Sequence, residues 1–148
     1  MAADKVLTVV SRAKPQDWVE IIQLDTELQP LGYLVWAAAG REPGLNPPFI
    51  LQWAARARYV EVELDEVEFE GERPTAASLS LQWKAILSEA RDVVAFLPWQ
   101  EVGKCVLDRD FNLLRLGSEE LAAALHSGEV HFHEGSLRGA FPKIVQSD

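Results

Sequence analysis

Hydrophobic and polar positions follow two different spacings along this chain of 148 residues. In four stretches an apolar residue recurs every three or four positions, as one face of an amphipathic helix requires. These stretches cover residues 15–28, 46–57, 75–93 and 118–128. Each begins with a residue suited to a helix start, namely Pro15, Asn46 followed by Pro47, Thr75 or Ser78, and Ser118. The pattern therefore predicts three or four helices.

Six other stretches have the composition of β-strands: residues 5–10, 33–39, 59–70, 102–107, 111–116 and 129–133. The stretch 33–39 is apolar throughout and short for a helix, which favours a buried central strand. Residues 108–110 would form the turn of a hairpin between the fourth and fifth strands. We therefore expect one α+β domain spanning residues 1–148. Its mainly antiparallel sheet of about five or six strands would carry three or four helices, mostly on one face.

The stretch 59–70 alternates apolar and acidic residues, and the alternation changes phase in the middle. Val62 and Leu64 are apolar before the change, and Val67 and Phe69 after it. A period of two shifts only where a residue is inserted or the chain turns, so residues 65–66 mark a β-bulge or a turn. The absence of glycine and asparagine favours the bulge. A bulge places six acids on one outward face: Glu61, Glu63, Asp65, Glu66, Glu68 and Glu70.

Charge is concentrated in this same part of the chain. The formal net charge is −9, and residues 61–72 hold seven acids and no base, whereas residues 1–58 are neutral. Repeated carboxylates on one face attract a basic protein and raise its association rate. The leading hypothesis is a non-catalytic protein-binding module, of inhibitor, immunity, adaptor or assembly-factor type, that engages a basic partner through an acidic β-ribbon at 61–72. The alternative for these acids is a solvated strand face, or an edge strand that charge protects from aggregation.

Composition narrows the classes of partner and compartment. A negative chain is repelled by phosphate backbones and anionic lipids, which disfavours nucleic acid and membranes as partners. No apolar run reaches the roughly 18 residues that a membrane helix needs, and the first residues do not resemble a signal peptide. The single cysteine, Cys105, excludes an internal disulfide and favours a reducing compartment. We therefore expect a cytoplasmic protein without a cofactor.

The histidines support a second hypothesis, a small metal-dependent enzyme or metal-binding protein. His131 and His133 would project from one face of the last strand, and Cys105 or an acid from elsewhere could complete a metal site. The simpler interpretation is a half-buried strand with two partly exposed histidines. Cys105 could also act as a nucleophile beside a histidine, but its apolar context favours a small buried thiol.

Residues 108–119 superficially match a calcium-binding loop. Asp108, Asp110, Asn112 and Glu119 provide oxygens at the first, third, fifth and twelfth positions. The sixth position, where the sharp turn needs glycine, is Leu113. A turn between strands is therefore the better explanation of these acids. No motif of a hydrolase, nucleotide-binding loop or zinc protease is present in the sequence, which points away from an enzyme.

Five tryptophans support a third hypothesis, a cleft for a small ligand or single-stranded nucleic acid. They lie at positions 18, 36, 53, 83 and 99, about one in each predicted element. Bases stack on such rings where cations lie nearby. The even spacing instead favours a core that takes one large side chain from each element.

Overall fold

The computed structural model describes residues 14–40, 45–56, 61–65, 67, 69 and 71–134. Within these ranges 60% of residues are helical and 6% lie in strands. The helices are α1 (Pro15–Glu27), α2 (Leu31–Ala38), α3 (Pro47–Ala54), α4 (Glu61–Leu64), α5 (Ala76–Phe96) and α6 (Ser118–His126). A 3-10 turn covers Trp99–Glu101, and strands β1 (Cys105–Leu107) and β2 (His131–His133) pair as an antiparallel sheet. The predicted sheet of five or six strands is therefore wrong, and with it the α+β class, because the described part of the chain is mainly helical.

Three helices form where the spacing and capping residues predict them. In α1, Pro15 stands in the first turn, and Trp18 and Ile21 are fully buried. The side chain of Asn46 accepts a hydrogen bond from the Phe49 N–H at 2.9 Å and so caps α3. A capping side chain accepts hydrogen bonds from backbone N–H groups that have no partner at the start of a helix. Helices with such local caps can therefore be predicted from the sequence.

The longest helix, α5, is confirmed in the same way. The Thr75 hydroxyl accepts a hydrogen bond from the Ser78 N–H at 3.0 Å, so Thr75 is the cap rather than Ser78. The helix buries a stripe that includes Leu79, Trp83 and Ile86. Its buried face contacts α1, α2, α3 and α6, which makes α5 the central element of the described structure.

Residues 33–38 of the stretch 33–39, which was predicted as a buried strand, belong to helix α2, and Ala39 is its C-cap residue. All residues of α2 except Ala37 are buried, because the helix contacts α1, α3, α5 and β1. A helix that is surrounded by other elements has no polar face, and its sequence then resembles that of a central strand. The close packing depends on Gly32, since a Cβ atom there would lie 2.8 Å from the side chain of Val93.

The predicted hairpin between 102–107 and 111–116 is reduced to its end beside the turn, and the main partner of β1 is another strand. Strand β1 pairs with β2, in the register Cys105↔His133, Val106↔Phe132 and Leu107↔His131. Residues 111–116 contribute a single bridge, Leu107↔Leu113. The predicted last strand is confirmed in its position, at His131–His133.

The acidic stretch is not a β-ribbon where the structure describes it. Residues 61–64 form helix α4, the Asp65 N–H lies 3.3 Å from the Val62 carbonyl oxygen, and the Val67 N–H lies 3.0 Å from that of Leu64. Consecutive turns, rather than a β-bulge, therefore account for the change of phase at residue 65. The predicted strand 5–10 and the acids Glu66, Glu68 and Glu70 lie outside the described residues.

Most of the buried hydrophobic side chains in the described ranges belong to one core cluster. Its largest fully buried members are Trp18, Trp36 and Tyr33. Strand β1 joins this core through Val106, which is fully buried. Across the described ranges no helix combines the length and apolarity that crossing a membrane requires.

Candidate protein-docking surface

Three of the six acids proposed to bind a partner lie at helix α4 and its end. Glu61 begins the helix, and Glu63 and Asp65 are exposed to solvent. We call residues 61–65 together with residues 73–75 the α4 corner. Glu63 lies in a helical turn and Asp65 directly follows it, so these two carboxylates are not aligned on one face of a strand.

The α4 corner is attached to the core through its apolar residues. Leu64 is fully buried, Val67 is buried, and Phe69 packs partly buried against the core. Helix α4 also contacts α1. Fully burying a leucine or valine side chain is worth about 1.5–3 kcal/mol, so these residues fix the corner against the rest of the molecule.

A groove of about 530 Å³ opens at the α4 corner. It is lined by Val62, Asp65, Arg73, Pro74 and Thr75. The Arg73 guanidinium forms an ion pair with the Asp65 carboxylate, and the two side chains are 35% and 61% exposed. An ion pair this exposed contributes about 0–1 kcal/mol, so another cation can replace Arg73 as the partner of Asp65 at little cost.

Val62 gives this surface an apolar centre. Its side chain is 68% exposed, although it lies between Glu61 and Glu63 in the sequence. Leu81 on α5 is equally exposed, at 69%, so exposure alone does not distinguish Val62. What distinguishes Val62 is its place between acidic residues. Protein interfaces combine an apolar centre with a charged rim.

The structure brings Cys105, His131 and His133 to one face of the small sheet, as the second hypothesis requires. The His131 ring stacks on Phe111, with ring centroids 4.8 Å apart and an interplanar angle of 26°. Cys105 is partly exposed rather than buried in the core as predicted. Nevertheless, no three His, Cys, Asp or Glu side chains among the described residues are placed to hold a metal ion.

The resemblance to a calcium loop has a structural explanation, and the predicted turn at 108–110 is confirmed. One oxygen of the Asp108 carboxylate accepts hydrogen bonds from the backbone N–H groups of Asp110 and Asn112, at 2.8 and 3.0 Å. Phe111 completes the turn with a φ of 64°. These bonds hold a tight turn, which is the common role of aspartate at such a position.

Three tryptophans lie in the core and are unable to stack on a ligand. Trp18 and Trp83 meet edge to face, with ring centroids 6.4 Å apart, and both are buried. Trp36 is fully buried and its indole N–H donates to the Glu101 carbonyl oxygen at 2.8 Å. Trp53 and Trp99 remain 37% and 56% exposed. The expected role of tryptophan as one core residue per element is therefore correct for three positions and wrong for two.

A cluster of polar side chains between α2, α5 and α6 was not anticipated from the sequence. The Glu89 carboxylate, on α5, accepts hydrogen bonds from both the N–H and the hydroxyl of Ser118, the latter at 2.9 Å. Gly117 is the N-cap residue of α6. The predicted cap, Ser118, is therefore a donor to Glu89, and a carboxylate from another helix takes over the capping of α6.

Two further groups complete this cluster, which we call the Glu89 junction (Asp25, Tyr33, Glu89 and Ser118). The Tyr33 hydroxyl donates to the Leu116 carbonyl oxygen at 2.6 Å. Burial raises the pKa of this hydroxyl, and the charges of Glu89 and Glu120 raise it further. Asp25 accepts a hydrogen bond from the Leu31 N–H at 2.7 Å, at the start of α2. The pKa of Asp25 is raised, chiefly by burial and to a lesser degree by the charge of Glu89. The hydrogen bond from Leu31 lowers this pKa but does not cancel the other two effects.

The sequence contains no signal for the Glu89 junction. Glu89 and Ser118 are 29 residues apart, and Tyr33 and Leu116 are 83 apart. Each residue is unremarkable in its local segment. Only the packing of α2 and α6 against α5 brings them together.

Comparison with protein-family models, with curated protein sequences and with solved structures gives no match for this chain.

Proposed function

We propose that this protein is a non-catalytic binding module that captures a basic protein at the α4 corner. The observation that carries the proposal is the side chain of Val62, 68% exposed beside the exposed acids Glu63 and Asp65. An exposed aliphatic group among carboxylates offers a partner both apolar area and charge.

Charge supports a basic partner. The net charge of the chain is −9, and residues 61–72 hold seven acids and no base. A potential of one sign concentrated in one segment steers a cationic surface during diffusion and raises the association rate. The same field repels nucleic acid, which makes a protein the better partner.

Attachment to the core supports a preformed surface. Leu64 and Val67 are buried, whereas Val62, Glu63 and Asp65, their neighbours in the sequence, are exposed. A surface that is fixed before binding loses less conformational entropy when the partner docks. The corner therefore needs fewer contacts to reach a given affinity than a free acidic peptide would.

The groove indicates which partner side chain fits. A lysine or arginine can lay its aliphatic stem along Val62 and Pro74 and place its cationic group at Asp65, because such side chains bury the stem while the charge stays hydrated. Arginine is favoured over lysine, since its planar fork can bind the carboxylate through two hydrogen bonds.

Charge reversal at the corner tests the proposal. The test compares a triple variant, Glu61→Lys with Glu63→Lys and Asp65→Lys, with a control triple, Glu27→Lys with Asp92→Lys and Asp110→Lys. The control acids are exposed and lie on α1, α5 and the 108–112 turn, so both variants change the net charge equally. A partner is first identified by affinity capture with the wild-type protein, and its binding to all three proteins is then measured at several salt concentrations.

We expect the corner variant to bind at least about tenfold more weakly than the control variant, and wild-type affinity to fall steeply with salt. An additional variant, Val62→Ser, keeps every charge and should weaken binding without changing the salt dependence. Equal affinities for the corner and control triples would refute the proposal, because only total charge would then matter.

A further inference from the structure

A groove of about 260 Å³ lies between helices α3 and α5. Leu51 and Val94 are buried and form its floor, whereas the other lining residues are exposed and form its rim. The lining residues are Pro48, Leu51, Gln52, Arg91, Val94 and Ala95. We call this surface the α3–α5 groove. It combines an apolar floor with one charged group at the rim, the guanidinium of Arg91.

The size of the α3–α5 groove suits a side chain better than a whole small molecule. Sites for cofactors and drug-sized ligands usually enclose about 300–1,000 Å³, and this groove is smaller. An apolar side chain of another protein can fill it and pack against Leu51 and Val94. Removal of apolar surface from water in this way favours association.

The α5 side of the groove is basic. Arg91 is exposed, and none of the ion pairs between described residues involves it. Lys84 is also exposed and lies seven residues before Arg91, about two helical turns, so both cations are on one face of α5. Asp92 is exposed as well, but it lies about 100° further around the helix. The Arg91 guanidinium is therefore available to a carboxylate of a partner.

The α3 side of the groove has the same sign of charge. Residues 43–60 contain two arginines and no acid, in a chain whose net charge is −9. Arg56 directly follows the C-cap residue of α3, Ala55, and is exposed. Within the described ranges it takes part in no ion pair. Cations on both helices attract an acidic group and repel a basic one.

Two aromatic side chains of α3 lie next to groove residues in the sequence. Phe49 and Trp53 directly follow Pro48 and Gln52, and their rings pack with centroids 4.9 Å apart. Trp53 is 37% exposed. Tryptophan and arginine are among the side chains that most often dominate the binding energy of protein interfaces. An exposed tryptophan near an arginine without an ion pair therefore favours a protein as the occupant.

We propose that the α3–α5 groove docks an acidic segment of another protein, which places an apolar side chain against Leu51 and Val94 and a carboxylate on Arg91. The planar guanidinium can bind both oxygens of that carboxylate. Nucleic acid fits less well, because it offers a charge at every phosphate and would meet the net charge of −9 along its whole length. An acidic protein segment needs only the local contact.

This inference goes beyond the function proposed for the α4 corner and does not rest on it. The two surfaces have opposite charge and different helices. Together they would give the protein one surface for a basic partner and one for an acidic partner, as an adaptor requires.

The test uses designed peptides of defined chemistry. The first peptide has leucine at helical spacing and glutamate at most other positions. The second replaces each leucine by serine, and the third replaces each glutamate by lysine. A single-stranded DNA oligonucleotide with the net charge of the first peptide is the fourth probe. Fluorescence anisotropy measures the affinity of each labelled probe at low and at physiological salt.

Three variants locate the binding site. Arg91→Glu reverses the charge in the groove, and Ala95→Trp fills the groove without changing any charge. Arg109→Glu makes the same charge change in the 108–112 turn and is the matched control. All three substituted residues are exposed, so the variants should fold, and thermal unfolding checks this.

We expect the glutamate–leucine peptide to bind Arg91→Glu at least about tenfold more weakly than it binds Arg109→Glu, because the lost contact joins two charged groups. Ala95→Trp should also weaken binding, but without changing its salt dependence. The serine peptide should bind wild-type protein at least about fivefold more weakly than the leucine peptide does. Arg91→Glu should not weaken binding of the lysine peptide, which is attracted to acids elsewhere on the protein.

Equal affinity of the glutamate–leucine peptide for Arg91→Glu and Arg109→Glu, or no binding to wild-type protein, would overturn the inference. An oligonucleotide that binds as tightly, with the same dependence on Arg91, would also overturn it, because the groove would then recognise negative charge rather than a protein. If Arg91→Glu fails to fold, Ala95→Trp and the comparison of the leucine and serine peptides still decide the question. The charge-reversed variant of the α4 corner keeps the groove, so either proposal can fail without the other.

Discussion

The α4 corner and the Glu89 junction use the same chemical group, a carboxylate, in opposite ways. At the corner, Asp65 is 61% exposed and its contact with Arg73 is an exposed ion pair. At the junction, Glu89 binds the backbone and hydroxyl of Ser118 at the start of a helix, and Asp25 binds the backbone of Leu31. The difference teaches that the sequence position of an acid says little about its role. A carboxylate in contact with water remains available to a partner, whereas one bound to a helix start stabilises the fold.

The largest expected effect is the loss of the carboxylate at the junction. Glu89→Ala should lower the free energy of unfolding by about 2–4 kcal/mol, because it removes two hydrogen bonds and leaves the start of α6 without its acceptor. Urea denaturation measures the change. Glu119→Ala, which removes an exposed acid from the same helix start, is the control and should change the free energy of unfolding by less than about 1 kcal/mol. Similar losses of unfolding free energy in both variants would show that Glu89 stabilises the fold no more than an exposed acid does.

Removal of one hydroxyl group at the junction should have a smaller effect. Tyr33→Phe keeps the buried ring and deletes the donor to the Leu116 carbonyl oxygen. We expect a loss of about 1–2 kcal/mol, the usual result of leaving one buried acceptor without its donor. Urea denaturation of the variant against wild type measures it. An unchanged midpoint would show that water replaces the hydroxyl and that Tyr33 contributes only its ring.

The raised pKa of Asp25 should affect how the free energy of unfolding depends on pH. Since burial raises the pKa of Asp25 in the folded state above its ordinary value of 3.8, the folded protein binds this proton more tightly than the unfolded chain does. The contribution of Asp25 to stability therefore rises as the pH falls through the raised pKa, and it is complete below 3.8. Asp25→Asn retains an oxygen for the Leu31 N–H and should remove this contribution. The measurement is unfolding free energy across mildly acidic pH, and identical pH profiles of variant and wild type would contradict it.

The smallest effect is expected at the corner. Asp65→Asn breaks the exposed ion pair with Arg73 and should change the free energy of unfolding by less than about 0.5 kcal/mol. Urea denaturation at low and high salt measures this change. A loss as large as that of Tyr33→Phe would mean that the corner carboxylate holds the fold together, and the α4 corner would then be a poor candidate for a surface that exchanges partners.

The helices that were predicted correctly are those whose ends are specified by neighbouring residues. Pro15 in the first turn of α1, Asn46 before α3 and Thr75 before α5 act within three residues of their targets. The stretch 33–39 had no such local signal. An unbroken apolar run fits a buried helix and a buried strand equally, and only its position among α1, α3, α5 and β1 selects the helix.

The acidic composition of the α4 corner is evident in the sequence, but its secondary structure was predicted wrongly. The acidic charge of residues 61–65 is present, but alternation of apolar and acidic residues indicated a strand where α4 is a helical turn. A helix of four residues is too short for the helical period to be visible in the sequence. The exposure of Val62, which the alternation would place inward with Leu64, follows from the helix and had no signal in the sequence.

The sequence by itself determined the capped helices, the concentration of negative charge in one segment and the predicted turn at Asp108. All three depend on interactions within a few residues, or on composition alone. The tertiary structure decided which carboxylates are bound to helix starts, which apolar run is a helix, and that Cys105 faces His133 across the sheet. Two of these relations, Glu89 with Ser118 and Cys105 with His133, join residues 29 and 28 positions apart. The tertiary relations depend on how helices and strands pack, because a local sequence pattern does not specify which distant segment packs against it.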